Sequence, residues 1–335
     1  MSSSNASSNA SSSSRGAILL VGGMGTRLQP LTLQTPKPML PVAGVPFTEH
    51  QIIKAREAGI KEIVLATSFK AELFEPYFGD GERFGISIKY AVEKEPLGTG
   101  GAIANAAKSL TQAGPIAIFN GDVLSGHDLN AQFEFHEKNR AEVTLYLTKV
   151  ADARAFGAVE LTADFQVTAF NEKMENPPTN TINAGCYIFN REVINQIPTG
   201  QVVSVERETF PGLLKQGARV FGFVDSSYWL DIGTPAALLK ASQDLLSGLA
   251  KSAATPSHSG DFLALPGAKI DATANVTGNS VIGADAMVGQ GARITGCVVN
   301  DGAIIGPDAI LSNTFVAAGF EVPGGVIAEG SYLGY

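Results

Sequence analysis

A six-residue spacing of aliphatic side chains in the C-terminal part of the chain constrains the fold more than any other feature of the sequence. An α-helix repeats its apolar residues every three or four positions and a half-buried strand every second position, so neither explains this period. The period is instead typical of a repeat architecture. It predicts a left-handed parallel β-helix of hexapeptide repeats over residues 263–335. The aliphatic residues fall in two phased runs, Ile270, Val276, Ile282, Val288 and Ile294, then Val298, Ile304, Ile310, Val316 and Val322.

The longer N-terminal part alternates short apolar runs with helical patterns. Residues 17–21, 62–67 and 115–119 have the composition of buried strands, and residues 49–58 and 99–110 that of helices. This alternation favours a doubly wound α/β sheet of Rossmann type, mostly parallel. Because a strand-rich stretch follows, we expect the complete sheet to be mixed.

The composition divides the chain into four predicted segments. Residues 1–14 are Met, Ser, Asn and Ala, without the basic and apolar regions of a signal peptide, and we expect a disordered leader there. A catalytic domain is expected over 15–250, a linker over 251–262 and the β-helix over 263–335.

Length and charge exclude several function classes. With 335 residues and 44% hydrophobic residues, the chain can bury a sizeable core. A formal net charge of −8 argues against a nucleic-acid-binding protein. No apolar run approaches the roughly 20 residues that a membrane helix needs.

Cys186 and Cys297, the only two cysteines, give no disulfide framework, so we expect a cytoplasmic protein.

A glycine-rich loop follows the first predicted strand and has the character of a polyphosphate site. Gly22, Gly23 and Gly25 let the backbone turn tightly and bring its N–H groups close to an anion. Thr26 and Arg27 add a hydroxyl and a guanidinium suited to phosphate oxygens.

Spacing separates this loop from two common nucleotide-binding motifs. No Gly-Lys-[Ser/Thr] of a P-loop is present, and Leu28 stands where a dinucleotide fingerprint requires its third glycine. Lys37 lies between two prolines, a rigid frame that would direct its ammonium group toward the same anion. A second glycine-rich turn, with Gly98 and Thr99, begins the helix over 99–110 and would let a flat base lie against the backbone.

Asp122 follows the apolar strand over 115–119, so it would lie at the edge of the sheet where the glycine loop lies. A carboxylate beside a phosphate site suits Mg²⁺, which binds one or two carboxylates together with substrate phosphates. Further along the chain, polar groups suited to sugar hydroxyls and to a sugar phosphate occur at strand ends. These are Gly157, Glu172, Lys173 and Asn183.

The strings GGMGTRLQPLT, TPKPMLPV, EPLGTGGAI, NAGCYIF and YWLDIGTP together resemble the signature of the sugar-1-phosphate nucleotidyltransferases, the NDP-sugar pyrophosphorylases. The resemblance implies that the glycine loop and Arg27 hold the nucleotide phosphates and that Lys37 contacts the α-phosphate. It also implies that Lys173 binds the sugar phosphate and that Asp231 is the second Mg²⁺ ligand, opposite Asp122. The family usually has proline after Glu172-Lys173, where this chain has Met174.

Within that family, the strings are most similar to bacterial mannose-1-phosphate guanylyltransferases, which implies GTP and mannose-1-phosphate as substrates. A glucose-1-phosphate thymidylyl-, uridylyl- or adenylyltransferase and a non-catalytic regulatory subunit remain alternatives. An acyl-transferring β-helix is disfavoured because no histidine, the usual general base, follows His258. The stacked coils favour self-association, so we expect a homo-oligomer.

Overall fold

The computed structural model describes residues 15–68 and 70–335, and the predicted leader lies outside them. Its larger part is a mixed α/β sheet flanked by helices on both faces. The helices are α1 Phe47–Glu57, α2 Glu75–Phe78, α3 Gly98–Ala107, α4 Leu129–Lys138, α5 Arg191–Ile194, α6 Phe210–Lys215 and α7 Pro235–Leu246. The strands are β1 Gly16–Leu20, β2 Pro41–Val42, β3 Val45–Pro46, β4 Glu62–Thr67, β5 Ser87–Val92, β6 Ile116–Asn120, β7 Val123–Ser125, β8 Val143–Lys149, β9 Gly157–Leu161, β10 Val167–Glu172, β11 Thr181–Phe189, β12 Val220–Val224 and β13 Trp229–Asp231.

Nine strands form the main sheet, and its mixed character is confirmed. The order is β10-β9-β11-β6-β1-β4-β5, with β8 paired to β11 and β12 paired to β8. Strands β6, β1, β4 and β5 run parallel, whereas β11 is antiparallel to β6. The parallel strands are nearly continuous apolar runs because helices cover both of their faces. Ile103 of α3 and Phe210 of α6 pack on one face, and Ile52 of α1 and Phe133 of α4 pack on the other.

This topology brings the glycine loop and the loop that carries Asp122 to one edge of the sheet. Leu20 of β1 pairs in register with Asn120 of β6, so the glycine loop and Asp122 leave the sheet side by side. Strands β7 and β13 form a small antiparallel pair above this edge, in which Asp231 lies opposite Val123. Two segments far apart in sequence therefore place their aspartates together.

The C-terminal part consists of short parallel strands stacked in three sheets, the arrangement of a left-handed β-helix. Two sheets hold four strands each and one holds five. The strands are β14 Phe262–Ala264, β15 Lys269–Ile270, β16 Asn275–Thr277, β17 Ser280–Ile282, β18 Met287–Val288, β19 Arg293–Thr295, β20 Val298–Val299, β21 Ile304–Ile305, β22 Ile310–Ser312, β23 Phe315–Val316, β24 Glu321–Val322, β25 Ile327–Glu329 and β26 Tyr332–Leu333.

The predicted phase of the second aliphatic run is wrong at its first three positions. The interior is built by Val299, Ile305 and Leu311, each one residue later than predicted. Ile310 is 40% exposed, whereas Leu311 is 1% exposed. The six-residue step shortens to five between Ile294 and Val299, and again between Leu311 and Val316. One side of these coils is thus five residues long and not six.

The outward face of the five-stranded sheet packs against the larger part of the molecule. Val281, Val298 and Phe315 share a hydrophobic core with Leu238 and Leu245 of α7. The same core contains residues within three positions of Arg27, Lys37 and Asp231, namely Leu28, Leu40 and Ile232. Val298 is buried, as its place in the period suggested, but it is buried against α7 and not inside the coil. In the described part of the chain, no helix has the length and apolarity required to cross a membrane.

Candidate active site

The glycine loop lies directly against Lys37, and its conformation depends on glycine. Gly25 has φ +62°, in the left-handed region, and a Cβ there would lie 2.8 Å from Cβ of Lys37. Thr32 Oγ1 donates a hydrogen bond of 2.9 Å to the Gly25 carbonyl. Gly22 and Gly23 line the adjoining cavity, whereas Gly25 and Thr26 line neither of the two cavities described below. The role of Gly25 is therefore to allow the close approach of Lys37.

A cavity of about 330 Å³ opens between the glycine loop and the beginning of α3. Gly98 begins that helix with φ +70°, and a Cβ there would lie 2.6 Å from the Val203 carbonyl oxygen. Thr99 Oγ1 accepts from the Val205 amide at 2.9 Å. The predicted nucleotide residues brought together around this first cavity are Gly22, Gly23, Lys37, Gly98, Thr99 and Asp122.

A second cavity, of about 370 Å³, adjoins the first, and Asn120 and Asp122 line both. Asn183 Nδ2 donates to Tyr187 Oη at 2.8 Å, and its Oδ1 accepts from the Gly185 amide at 3.1 Å. These bonds fix the orientation of the Asn183 side chain. The predicted residues around the second cavity are Arg27, Asp122, Gly157, Glu172, Lys173, Asn183 and Asp231.

Glu172 and Lys173 differ in their exposure to solvent. Lys173 adopts φ +51°, and its ammonium lies 3.6 Å from the Glu172 carboxylate. Its side chain is 60% exposed, so the ammonium can reach a ligand in the cavity. Burial raises the pKa of Glu172, and the charge of Lys173 opposes that shift. Met174, at the position of the usual proline, is exposed and does not line the cavity, whereas Glu172 and Lys173 do.

Two carboxylates and two cations meet where the cavities join. Lys37 Nζ lies 2.7 Å from Asp122 Oδ2, with the lysine 8% exposed. The Gly233 amide donates to Asp231 Oδ1 at 2.6 Å. Burial, and then the charge of Asp122, raise the pKa of Asp231, whereas Lys37 and Arg27 oppose the shift. The Arg27 guanidinium packs on the backbone here, since a Cβ at Gly233 would lie 2.9 Å from its Nη2.

This donor set fits a magnesium ion. Mg²⁺ binds one or two protein carboxylates and completes its shell with water and substrate phosphate oxygens. Asp122 and Asp231 offer two carboxylates close enough for one to shift the pKa of the other. A cation between them would relieve the repulsion that raises this pKa.

Two further carboxylates line the cavities, and no sequence motif indicates them. Glu93 follows β5 and lines the first cavity. Its Oε2 accepts a hydrogen bond from the Leu97 amide at 3.1 Å. Its buried Oε1 has no hydrogen-bond partner within the described residues. Burial raises the pKa of Glu93. Glu206 lines the second cavity and accepts from Thr99 Oγ1 at 2.7 Å, which joins the two cavities. The available signal was position, because Glu93 directly precedes the turn that carries Gly98.

Comparison with known proteins places this geometry in a family. The family model described as nucleotidyl transferase matches residues 16–248, which include both cavities. The chain belongs to the nucleotidyl transferase family. Within the family, the chain is 50% identical to a mannose-1-phosphate guanylyltransferase of Mycobacterium tuberculosis over 287 residues, 85% of this chain and 80% of the relative. It is 34% identical to a probable mannose-1-phosphate guanylyltransferase of Oryza sativa, covering 90% of this chain and 85% of that relative.

Solved structures share the fold of this nucleotidyl transferase. HddC from Yersinia pseudotuberculosis superposes with a TM-score of 0.59 at 29% identity, covering 68% of this chain and 98% of HddC. A putative glucose-1-phosphate thymidylyltransferase from Bacillus anthracis gives 0.64 at 22% identity, covering 74% and 98%. At that identity, the second likeness concerns the fold alone.

Proposed function

We propose that this nucleotidyl transferase forms GDP-mannose and pyrophosphate from GTP and mannose-1-phosphate. The observation that carries the proposal is the meeting of two cavities at Asp122, one beside the glycine loop and one beside Lys173. Such a pair of cavities can hold a nucleotide and a phosphorylated acceptor with their phosphates facing each other. The names of the relatives in Mycobacterium tuberculosis and Oryza sativa support this choice of substrates.

The first cavity takes the nucleotide in this proposal. Its glycine loop presents the backbone of Gly22 and Gly23 to the phosphates. Arg27 reaches the β- and γ-phosphates from the neighbouring cavity, and the ammonium of Lys37 holds the α-phosphate. Gly98 and Thr99 form the wall on which the base lies.

Glu93 provides a physical reason for guanine. Guanine presents two adjacent donors, N1–H and the exocyclic 2-amino group, and a carboxylate accepts from both. The buried Oε1 of Glu93 has no hydrogen-bond partner within the described residues, although buried polar atoms are normally paired. Adenine and thymine offer no such pair of donors, so this carboxylate favours GTP over ATP and dTTP.

The second cavity takes the sugar phosphate. Lys173 faces the phosphate of mannose-1-phosphate with an exposed ammonium, and Glu172 and Asn183 bind sugar hydroxyls. Gly157 lies opposite Glu172 in the β9–β10 pair, and a Cβ there would lie 2.9 Å from Glu172 Oε2, so the glycine leaves room for this carboxylate.

The reaction is an in-line displacement at the α-phosphorus. A phosphate oxygen of mannose-1-phosphate forms a bond to this phosphorus, and the bond from phosphorus to the α–β bridging oxygen breaks, so that pyrophosphate leaves with the electron pair. Positioning and neutralisation of charge supply most of the catalysis in such transfers. When bound, Mg²⁺ would be held by Asp122 and Asp231 and would neutralise the phosphate charge. Arg27 and Lys37 steer the nucleotide, and Lys173 steers the attacking phosphate.

We also propose a cytoplasmic homo-oligomer. Both cysteines are buried thiols without a disulfide, which suits a reducing compartment. Ile310 and Ile327 stack on the outer face of the β-helix and are 40% and 77% exposed, a surface that a second copy could cover. Light scattering of the purified chain tests the oligomer, and a monomer at micromolar concentration would refute it.

Pyrophosphate release tests the proposed activity. GTP, dTTP, UTP and ATP are each paired with mannose-1-phosphate and glucose-1-phosphate in the presence of Mg²⁺. We expect the highest kcat/KM for GTP with mannose-1-phosphate. A preference for a glucose-1-phosphate pair would transfer the assignment to the thymidylyl, uridylyl or adenylyl alternatives. If no pair releases pyrophosphate while GTP still binds, the chain is a regulatory subunit and the proposal fails.

A further inference from the structure

Two side chains of α1 hold the turn that carries Asp122. Gln51 Nε2 donates to the Asn120 carbonyl at 2.7 Å and lies 3.4 Å from the Val123 carbonyl. Lys54 Nζ donates to the Ser125 carbonyl at 2.7 Å. Gln51 and Lys54 are three positions apart on a helix, so they lie on one face of it. Three carbonyl groups on either side of Asp122 are thus fixed by one helix.

The opposite side of the same turn is held by β13. The Ile232 amide donates to the Asp122 carbonyl at 2.9 Å, and Asp231 lies opposite Val123. The backbone between β6 and β7 is therefore clamped between α1 and β13. A shift on the α1 side would move Asp122 and, through the β7–β13 pair, Asp231 as well.

The surroundings of Lys54 are unfavourable for stability alone. Its ammonium is mostly buried and has a carbonyl, the Ser125 hydroxyl at 3.3 Å and the His127 Nδ1 at 3.2 Å as neighbours. Within residues 15–68 and 70–335, no carboxylate lies within 4 Å of it. Burial lowers the pKa of Lys54 to about 8, although the more distant charges of Asp225 and Asp128 oppose the shift. A buried cation without a carboxylate partner costs free energy, so a role in holding the turn explains the residue better than packing does.

We propose that Gln51 and Lys54 are positioning residues that set the geometry of the Asp122–Asp231 carboxylate pair. They touch neither cavity-bound substrate; they act through the backbone of the turn. The inference rests on the proposed roles of Asp122 and Asp231 in holding the metal and the triphosphate. Because a misplacement of about 1 Å can lower a rate by up to about a hundredfold, loss of either anchor has a measurable effect.

The variants Gln51→Met and Lys54→Met test this, since both keep most of the side-chain length and remove the donor. Arg56→Met is the matched control: Arg56 also joins α1 to a carbonyl, that of Phe84 at 3.4 Å, away from the turn. Two quantities are measured for each variant, kcat with saturating substrates and the Kd of Mn²⁺ in the presence of GTP by electron paramagnetic resonance. We expect kcat to fall about tenfold and the Mn²⁺ Kd to rise several-fold, with KM for GTP little changed. Arg56→Met should leave both at wild-type values.

Two outcomes separate failure of the inference from failure of the proposed function. If Asp122→Asn is inactive but the Gln51 and Lys54 variants match Arg56→Met, the positioning role is wrong and the proposed function stands. If Asp122→Asn keeps wild-type turnover, the proposed function itself fails. Near-UV circular dichroism reports folding. If both the Gln51 and the Lys54 variant lose the native signal, these residues are required for folding and the proposal is overturned.

Discussion

The sheet edge and the β-helix bury opposite kinds of side chain. In the β-helix, aliphatic side chains stack inward in register from coil to coil, as in the series Val288, Ile305 and Val322. At the sheet edge, Lys37 and Asp122 are brought together with Asp231 in a partly buried site where charges are costly. The β-helix stabilises the fold by burying aliphatic side chains, whereas the sheet edge holds buried charged groups that cost free energy.

The two regions are joined by one hydrophobic core. Leu28, Leu40 and Ile232 follow the charged residues of the site by only a few positions and pack with the β-helix face. The β-helix thus supports the loops of the site from behind without supplying polar groups to either cavity. Substitutions at the edge should therefore change turnover, and substitutions inside the coils should change stability.

The largest effect is expected at Lys37. Lys37→Met removes the ammonium that we assign to the α-phosphate and that pairs with Asp122. We expect kcat to fall about a thousandfold, the loss typical of a removed transition-state contact, and the free energy of unfolding to fall by a smaller amount because Asp122 loses its ion-pair partner. Steady-state pyrophosphate release and urea denaturation measure the two quantities. A stability loss as large as the activity loss would erase the contrast between the regions.

The interior of the coil should show the reverse. Leu311→Ala removes a buried side chain, and we expect a loss of about 2–5 kcal/mol in the free energy of unfolding with unchanged kcat for the folded fraction. Ile310→Ala is the matched control, because the neighbouring residue faces solvent and should cost less than about 0.5 kcal/mol. Equal losses for the two variants would show that the phase of the coil is not the one described.

His50 of α1 provides a pH test where this helix contacts the segment that leads into the β-helix. Its Nε2 donates to the Val42 carbonyl at 2.9 Å and its Nδ1 accepts from Ser252 Oγ at 2.7 Å. Burial lowers the pKa of His50 to about 4, below its value of about 6.5 in the unfolded chain. The unfolded state binds the extra proton, so this contribution is complete above pH 6.5 and is lost as pH falls through about 4. It amounts to about 3 kcal/mol.

Comparison of wild type with His50→Gln isolates that contribution from the other buried histidines. We expect the difference in unfolding free energy between the two proteins to shrink as the pH is lowered from 7 to 4. A difference that is constant over this range would mean that His50 titrates normally in the folded protein.

The smallest effect is expected at Glu93. Glu93→Gln replaces one of two acceptor oxygens by an amide, so kcat/KM for GTP should fall about tenfold, the value of one hydrogen bond to a charged group. ITP lacks the 2-amino group of GTP and should lose less. Competition assays with the two nucleotides give the ratio of their kcat/KM values directly. A ratio that the substitution leaves unchanged would show that Glu93 does not recognise the base.

The architecture could be predicted because both periods are local. The six-residue spacing indicated the β-helix, and the alternation of strands and helices indicated the sheet. The phase could not be predicted at Val298-Val299, Ile304-Ile305 and Ile310-Leu311, where two aliphatic residues are adjacent. Which one faces inward depends on a five-residue side of the coil and, for Val298, on the apolar surface of α7 outside it.

The site was predictable where chain topology alone decides position. Parallel strands end at one edge, so the glycine loop and Asp122 had to meet there. Glu93, Gln51 and Lys54 escaped prediction because their roles depend on which buried atoms surround them in the folded chain. Glu93 lies at a strand end, and Gln51 and Lys54 lie on one helix face. These are common positions in any sequence, and the atoms that surround them come from distant segments.

Asp122→Asn tests the proposed site most sharply when turnover and nucleotide binding are measured on the same preparation. Asp122 is the carboxylate that lines both cavities, so we place the chemistry there. We expect GDP-mannose formation from GTP and mannose-1-phosphate to fall at least about a thousandfold, while metal-free GTP binding by calorimetry stays within a factor of about three. If turnover stays within about tenfold of wild type, the junction of the two cavities is not the place where the substrates react.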